Sequence, residues 1–322
     1  MLVLSKGCIL CHSGAKMVLF VTGVCTRACW YCPISAERRG NDMIYANEHR
    51  ISSPDEMIRV AETMSAEGTG VTGGEPLLVL DRVMTYCTAL KDHFGTEHHI
   101  HLYTGIAPSR EELRCLRPVI DEIRFHPPQE IWSRIEESDF VRAICDARDL
   151  GFSVGIEVPS LPGLSDLIAV LPLLDFLNIN ELEWSETNAD AMRREGMDLA
   201  DSYHNAVRGA GAWAKEIRRH KKVHWCSSTF KDSVQLRERL KRIARNTARP
   251  FDEITDDGTI VYGVLKPPVP LSGIDDDLYA VYDDHIEMAW WILAEERQNL
   301  PGTKCVVERY PDRGMIVEVT PL

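Results

Sequence analysis

Short apolar runs alternate with helical patterns between residues 17 and 190. Apolar runs of about four to eight residues are typical of buried strands, whereas apolar positions spaced by about 3.6 residues are typical of helices. The alternation predicts strands at 17–23, 69–72, 99–104, 120–126, 152–158 and 181–186, and helices near 54–67, 79–94, 109–117, 130–150 and 164–176. Six such repeats predict an α/β fold with parallel strands, outer helices and right-handed crossovers.

The pattern changes after residue 190. We predict a long helix at about 193–220, a basic helix at about 233–246, a hairpin around Asp257-Gly258, a helix at about 277–298, and strands at 305–310 and 315–319. These elements indicate a small α+β appendage. We therefore divide the chain into an N-terminal extension (1–16), a β/α domain (17–190) and a C-terminal region (191–322) that helps to shape the substrate pocket.

Composition limits the protein classes that fit. The chain has 322 residues, of which 44% are hydrophobic, enough for a full core. No apolar run approaches the roughly 20 residues of a membrane helix. The longest run, 167–177, contains Pro172 and Asp175. We expect a soluble cytoplasmic protein with no membrane partner.

The charge is unevenly distributed. The net charge of -13 argues against nucleic-acid partners, but segment 207–249 holds 13 Lys and Arg against three acids. The remainder holds 23 basic and 46 acidic residues. The basic segment could contact tRNA phosphates or an acidic protein, and two amphipathic helices with solvated basic faces explain it equally well.

Three cysteines follow directly on the first predicted strand, at Cys25, Cys29 and Cys32. Three thiolates on one short loop can hold three irons of a [4Fe-4S] cluster and leave the fourth iron open. A structural zinc site is the weaker alternative, because zinc usually takes its ligands in Cys-x2-Cys pairs and requires a fourth ligand. Disulfides are disfavoured, because residues 2–4 are too short for the apolar part of a secretory signal.

A glycine-rich motif follows the second predicted strand, at Gly73-Gly74-Glu75-Pro76. Glycine allows a ligand and the backbone to approach closely. The two motifs together resemble the radical S-adenosylmethionine (SAM) superfamily over residues 17 to about 190. The resemblance implies an open, TIM-like partial (β/α)6 barrel, because six units are too few for a closed eight-stranded one. Its active site is expected at the carboxyl ends of the strands.

The resemblance also implies roles for particular residues. The amino and carboxylate groups of SAM would chelate the open iron, and Gly73, Gly74, Glu75 and Pro76 would receive the amino group. Tyr31 occupies the aromatic position near adenine, and Arg27 either steers the SAM carboxylate or lies on the surface. From their places at strand ends we further expect four contacts: His126 and Glu157 with SAM, and Glu183 and Asn188 with the substrate. No catalytic residue is assigned beyond the cluster.

A second cysteine set precedes the first strand, at Cys8-x-x-Cys11-His12. The spacing matches a haem c attachment signature, which we reject because no export signal is evident. The pair is instead half of a metal or iron–sulfur site, with Cys226 beside His224 as the best-placed partner, or simply a pair of reduced thiols. The remaining cysteines are expected in the core, at Cys87, Cys115, Cys145 and Cys305.

By resemblance, the cluster reductively cleaves SAM to a 5′-deoxyadenosyl radical and needs an electron donor such as ferredoxin or flavodoxin. The favoured target is a macromolecule, tRNA or protein. Alternatives are activation of a glycyl-radical enzyme, against which the long C-terminal region weighs, and radical methylation or small-molecule metabolism. An iron–sulfur sensor is disfavoured by the glycine motif. Segments 14–23 and 99–104 further resemble archaeal radical SAM proteins related to pyruvate formate-lyase activating enzyme.

Overall fold

The chain divides into two compact units in the computed structural model, which describes residues 4–296 and 298–322. The first unit comprises Met1–Glu62 and Ala66–Val234, and the second comprises Thr63–Ser65 and Gln235–Leu322. Of the predicted extension 1–16, residues 1–3 lie outside the described part of the chain.

The first unit is built on a nine-stranded sheet with the order β3-β2-β1-β4-β5-β6-β7-β8-β9. Strand β1 and strands β4 to β9 run parallel, while β2 and β3 form an antiparallel hairpin at one edge. The strands are β1 (Lys16–Phe20), β2 (Ile44–Ala46), β3 (His49–Ile51), β4 (Gly68–Thr72), β5 (His99–Thr104), β6 (Glu122–Phe125), β7 (Ser153–Pro159), β8 (Phe176–Asn180) and β9 (Val223–Cys226). The predicted α/β class with parallel strands is confirmed, and no closed barrel forms among the described strands.

The helices of the first unit are α1 (Lys6–His12), α2 (Pro54–Thr63), α3 (Leu80–Phe94), α4 (Arg110–Leu116), α5 (Asp139–Asp149), α6 (Ala189–Arg194), α7 (Ala210–Trp213) and α8 (Ser228–Phe230), with 3₁₀ segments at Pro76–Val79, Gln129–Glu137, Leu164–Leu173 and Ile217–Arg219 and a π-helix at Lys231–Leu236. Most of them lie between its strands along the chain, whereas α1 precedes β1 and α8 follows β9. A capping box starts α4, because the Ser109 side chain accepts from Glu112 N and the Glu112 side chain accepts from Ser109 N. None of these helices combines the length and apolar character needed to span a bilayer.

The predicted position of the last strand of the β/α domain was wrong. Residues 181–186 form a loop, and the strand is β8, five residues earlier in the chain. The predicted helix 164–176 is a 3₁₀ segment that ends at Leu173, directly after Pro172, which cannot continue a helix. Strand β9 and the β2–β3 hairpin were not predicted. Because β9 pairs with β8, residues 191–234 lie in the first unit, although we assigned them to the C-terminal region.

Two long predicted helices are also absent. Segment 193–220 contains only the end of α6, then α7 and a short 3₁₀ turn, because Gly196 and Gly209 take positive φ angles of 68° and 83°. Segment 277–298 contains a 3₁₀ turn (Asp276–Leu278), two short strands, β12 (Tyr279–Val281) and β13 (Ile286–Met288), and a helix, α10 (Trp290–Glu295).

The second unit carries an antiparallel six-stranded sheet with the order β12-β13-β11-β14-β15 and β10 paired to β11. Its other elements are α9 (Arg237–Thr247), β10 (Glu253–Ile254), β11 (Ile260–Lys266), β14 (Thr303–Arg309) and β15 (Ile316–Pro321). The predicted hairpin is confirmed between β10 and β11, where Gly258 takes a φ of 82°.

Candidate functional site

The three cysteines lie on a loop of residues 24–39, the cysteine loop, which follows β1. The loop is closed at its base, because Gly40 N donates to Gly23 O at 2.8 Å and Gly23 N donates to Asn41 O at 2.9 Å. A Cβ atom on Gly23 would lie 1.7 Å from Arg38 O, so only glycine fits there. The ends of the loop are therefore fixed by backbone contacts, while its thiols stay accessible: Cys25 is exposed, and Cys29 and Cys32 are half-buried.

The glycine motif is joined to the start of the cysteine loop. Gly74 N donates to Thr22 O at 2.6 Å, and Glu75 N donates to Val24 O at 2.8 Å. A Cβ atom on Gly74 would lie 2.2 Å from Val24 O. We expected these glycines to admit a ligand. In the structure the close approach is between two backbone segments, and it holds the two motifs side by side.

The Glu75 carboxylate is held in one position at this junction. The side chain is buried and accepts hydrogen bonds from Thr104 Oγ1 at 2.8 Å, Leu77 N at 3.1 Å and Gly105 N at 2.7 Å. Burial raises the pKa of this carboxyl group, although the hydrogen bonds oppose the shift. Arg27, from the cysteine loop, donates to Gly105 O beside it. A group with an N–H or ammonium donor would meet a preorganised acceptor here.

Both motifs face one cavity of about 620 Å³ in the first unit, a volume typical of small-ligand sites. The sequence-predicted residues that line it are Cys25, Arg27, Cys29, Tyr31, Cys32, Gly73, Gly74, Glu75, Pro76, His126 and Glu157. Several lining residues were not predicted, among them Lys16, Val18, Gly70, Tyr103 and Asn180. Lys16 and Val18 could have been found from the alternation in β1, since Met17 and Leu19 are fully buried on its opposite face.

Tyr31 and His126 form a hydrogen-bonded pair at the cavity wall. The Tyr31 hydroxyl lies 3.0 Å from His126 Nε2, and His126 Nδ1 lies 2.9 Å from Glu157 O. Burial lowers the pKa of His126, so the ring is neutral at pH 7. A neutral ring that donates from Nδ1 to the carbonyl accepts at Nε2 from the Tyr31 hydroxyl. This pair fixes the aromatic ring next to the third cysteine.

Glu157 is ionised and fully partnered. It accepts from Arg124 at 2.6 Å, from Asn178 Nδ2 at 2.9 Å and from Asn180 Nδ2 at 2.9 Å. Burial raises its pKa, but Arg124 and Lys16 outweigh burial and lower it to about 2. The group is a fixed negative charge in the cavity wall.

The two residues expected on the substrate side do not line the cavity. Glu183 forms an ion pair with Lys231 at 3.0 Å. Asn188 is buried, and its Nδ2 donates to Tyr31 O at 3.1 Å and to Glu183 O at 3.0 Å. The contacts of Asn188 support the cysteine loop from behind.

The second cysteine set lies deep in the first unit. Cys8 is buried, and its sulfur accepts from Asn178 Nδ2 at 3.2 Å and lies 3.7 Å from Arg124. Cys226 is also buried, and burial raises its pKa to about 12. No three His, Cys, Asp or Glu side chains in the described ranges converge on a single metal ion, so we do not propose one at Cys8, Cys11 and Cys226.

The same finding applies to Cys25, Cys29 and Cys32, but a four-iron cluster requires a different geometry. Each of its thiolates binds a different iron, so the sulfurs stand further apart than around one ion. Three partly accessible thiols on one loop, facing one cavity, fit such a cluster. Of the cysteines expected in the core, Cys87 is buried and Cys305 half-buried, but the prediction is wrong for Cys115 and Cys145, which are exposed on the outer faces of α4 and α5.

Two solved structures of Streptococcus suis SuiB, one bound to S-adenosylmethionine, are similar to this chain with TM-scores of 0.43 and 0.42 and identities of 11% and 10%. Each comparison covers 66% of this chain and 50% or 49% of the solved one. The chain thus spans about half the length of those proteins.

Sequence comparisons cover more of the chain. Residues 19–168 match the family model of the radical SAM superfamily, and residues 258–322 match a domain of unknown function, DUF8061. The chain is 37% identical to a Methanocaldococcus jannaschii protein named "Putative glycyl-radical enzyme activating enzyme", over 99% of this chain and 93% of the relative. The resemblance carried by the two motifs is confirmed: the chain belongs to the radical SAM superfamily.

Proposed function

We propose that this radical SAM enzyme generates a 5′-deoxyadenosyl radical at a [4Fe-4S] cluster on Cys25, Cys29 and Cys32, and uses it to take a hydrogen atom from a partner protein. One observation supports the generation of the radical at this site. The cysteine loop and the glycine motif are hydrogen-bonded to each other beside one cavity, and all three cysteines line that cavity. The parallel strand order around that cavity supports the finer proposal of a partial (β/α)6 barrel.

Named residues would hold the two cofactors. The three thiolates would ligate three irons, and Glu75 with the backbone of Gly73 and Gly74 would accept from the amino group of SAM. When bound, the reduced cluster supplies the electron that breaks the C5′–S bond of SAM, which yields methionine and the radical. The protein keeps Glu75 ready through its three hydrogen bonds and fixes Tyr31 through His126.

A protein target is supported by the name of the M. jannaschii relative, since an activating enzyme acts on another protein. The long C-terminal region weighs less against this than the sequence alone suggested, because that relative matches 99% of this chain. We therefore favour activation of a glycyl-radical enzyme, with a redox protein such as ferredoxin or flavodoxin as electron donor.

A tRNA target has less support. Several cations of segment 207–249 have internal partners. Lys222 Nζ donates to Leu171 O at 3.1 Å and to Leu174 O, and Arg208 donates to Leu199 O at 3.0 Å. In the second unit, Arg249 pairs with Asp252 at 2.7 Å and with Glu287. These bonds occupy part of the donor capacity of the three cations, which weakens the case for a phosphate-binding surface.

The radical chemistry is tested by anaerobic reconstitution with iron and sulfide, followed by SAM and dithionite. We expect 5′-deoxyadenosine by mass spectrometry, and none from Cys29→Ala, which loses one of three cluster ligands. Cys115→Ala is the matched control, because this thiol is exposed and away from the cavity. Absence of product from the wild type, or undiminished product from Cys29→Ala, would overturn the assignment.

The target is tested with uniformly deuterated candidate proteins encoded beside this chain. Hydrogen abstraction transfers deuterium to the product, so 5′-deoxyadenosine should gain about one mass unit. A protein substrate also predicts a stable organic radical in the electron paramagnetic resonance spectrum of the partner. Unlabelled product with every neighbouring protein, and labelled product with deuterated small molecules, would reject the protein target.

A further inference from the structure

Thr22 lies between β1 and the cysteine loop, and the site described so far does not use its side chain. The residue is fully buried and does not line the cavity. Its carbonyl group accepts from Gly74 N at 2.6 Å, and a Cβ atom on Gly73 would lie 2.6 Å from the same oxygen. Thr22 can therefore influence the site only through the residues that it contacts.

The hydroxyl group of Thr22 has a fixed direction. It donates to Asp42 Oδ1 at 2.8 Å and accepts from Val24 N at 3.2 Å. Hydrogen bonds from Arg82 and from Thr22 itself lower the pKa of Asp42 to about 2, so this carboxyl group is ionised at pH 7 and can only accept. The hydroxyl proton thus points to Asp42, and the oxygen lone pairs stay available for Val24 N.

Arg82, in α3, holds the carboxylate in place. Arg82 Nη1 lies 2.6 Å from Asp42 Oδ1, and Arg82 Nη2 lies 3.0 Å from Asp42 Oδ2, so the pair is bidentate. Arg82 Nη1 also donates to Val21 O at 2.8 Å. We call Thr22, Asp42 and Arg82 the threonine clamp. The clamp joins the residues after β1 to α3 and to the segment that follows the cysteine loop.

The clamp reaches the glycine motif through two backbone contacts. Thr22 O accepts from Gly74 N, and Val24 O accepts from Glu75 N at 2.8 Å. The hydroxyl group of Thr22 helps to fix Val24, which directly precedes Cys25, the first cluster ligand of the proposed function. Loss of this hydroxyl group would remove the acceptor of Val24 N and leave Cys25 less firmly placed relative to Glu75.

We propose that Thr22 is a positioning residue for SAM: its hydroxyl group, directed by Asp42 and Arg82, holds Cys25 at the separation from the glycine motif that SAM requires. This inference rests on the proposed function, in which the cluster and Glu75 bind the same SAM molecule. A ligand that contacts two motifs at once is sensitive to their separation, because a misplacement of about 1 Å can slow a reaction about a hundredfold. Thr22 acts through Val24 and does not touch SAM.

The test compares Thr22→Val, which has the same shape but no hydroxyl group, with Thr22→Ser, which keeps the hydroxyl group. SAM binding is measured by equilibrium dialysis on the anaerobically reconstituted protein with its cluster oxidised, and is expressed per loaded cluster. We expect SAM affinity to fall by about tenfold or more in Thr22→Val and by less than about threefold in Thr22→Ser. Iron content should stay at about four per chain in both, because all three thiols remain.

Thr85→Val is the matched control for the loss of a threonine hydroxyl group. The Thr85 hydroxyl donates to Asp81 O at 2.8 Å within α3, and this residue is exposed and does not line the cavity. SAM affinity should be unchanged in this variant.

A second measurement does not depend on the cluster. Hydrogen exchange of the full chain without iron, followed by NMR, reports on the hydrogen bond of each amide. The Val24 amide should exchange about fivefold faster or more in Thr22→Val, and close to the wild-type rate in Thr22→Ser. The Gly40 amide is the internal reference, because it donates to Gly23 O rather than to a side chain.

Asp42→Ala removes the group that directs the hydroxyl proton, at a half-exposed position where the chain should still fold. We expect SAM affinity to fall by about threefold. Unchanged SAM affinity in a folded Thr22→Val, or an equal loss in Thr22→Ser, would overturn the inference. If Thr22→Val does not fold, unchanged affinity in Asp42→Ala would overturn it. The expected affinities together with a wild type that forms no 5′-deoxyadenosine would instead contradict the proposed function alone.

Discussion

Two carboxyl groups of the first unit, those of Glu157 and Asp42, have a pKa near 2 in very different surroundings. The Glu157 side chain is 13% exposed and its partner Arg124 is 2% exposed. The Asp42 side chain is 51% exposed and pairs with Arg82 at 2.6 Å. Without Glu157, the buried Arg124 and the neighbouring Lys16 share one carboxylate, Glu122, and one positive charge is left uncompensated, whereas water replaces a lost partner at the surface.

This contrast predicts that removing the two carboxylates lowers the stability of the protein by different amounts at pH 7. Glu157→Gln should lower the free energy of unfolding by about 3 kcal/mol, and Asp42→Asn by less than about 1 kcal/mol. Urea denaturation of the two variants measures the difference. Equal costs would show that Glu157 is not held by its ion pair.

The same pair predicts a pH dependence. The folded-state pKa of Glu157 is about 2, below its ordinary value of 4.5, so its contribution is complete above pH 4.5 and is lost as the pH falls towards 2. The stability gap between the wild type and Glu157→Gln should therefore narrow over this range. A gap that stays constant from pH 5 to about pH 2.5 would contradict the assigned shift.

Residues that line the cavity could be predicted from the sequence where they lie near the end of a strand. His126 and Glu157 lie at or near the ends of β6 and β7, and both line the cavity, while their contacts with SAM stay a prediction. Lys16, which also lines the cavity, was not predicted because it begins a strand, and site residues are expected at strand ends. Asn188 was expected at the substrate, but its amide supports the cysteine loop, because a polar residue after a loop can serve either purpose.

At the scale of elements, the contact between β1 and β4 continues beyond the sheet. Both strands extend into the two motifs, and Gly74 lets the backbone of Val24 approach. Short apolar runs with clear turn signals were predicted well in this region. The long helices predicted at 193–220 and 277–298 do not form, because glycines and short strands interrupt segments whose apolar spacing resembles that of a helix.

The contact between Gly74 and Val24 predicts that adding one methyl group at residue 74 is harmful. Gly74→Ala would place Cβ 2.2 Å from Val24 O, so the backbone must shift and separate the motifs. We expect a melting temperature lower by several degrees and a loss of 5′-deoxyadenosine formation of tenfold or more, about 1.4 kcal/mol in the barrier.

The matched control is Gly211→Ala. Nothing lies within 4 Å of a Cβ atom at this position, which is in α7, so stability should be unchanged or slightly higher. Full activity in Gly74→Ala would show that the separation of the two motifs is not critical.

At the scale of the whole molecule, the charge distribution bears on the choice of partner. The net charge is -13, and the cations of segment 207–249 are divided between two units. The sequence predicted the basic excess but not its division, because the contacts separate the chain after residue 234 rather than after 190. The basic residues of segment 207–249 follow one another closely in the sequence, but they belong to two different units.

This distribution predicts weak interaction with tRNA. At about 150 mM salt the screening length is about 8 Å. An acidic chain in which several of these cations are bonded internally should not retain tRNA in a mobility-shift assay at that salt concentration. The comparison is the same assay at about 20 mM salt. Retention at the higher salt, with affinity falling steeply as salt is added, would favour RNA over protein as the target.

The closed base of the cysteine loop makes the length of its second half adjustable. Its two ends meet at Gly23 and Gly40, so residues can be inserted after Cys32 while Val24 and the three cysteines stay in place and β1 and β2 keep their register. Doubling the length of a flexible loop costs only about 0.6 kcal/mol. Insertions between Cys32 and Gly40 would allow the surroundings of the thiols to be varied on a constant scaffold.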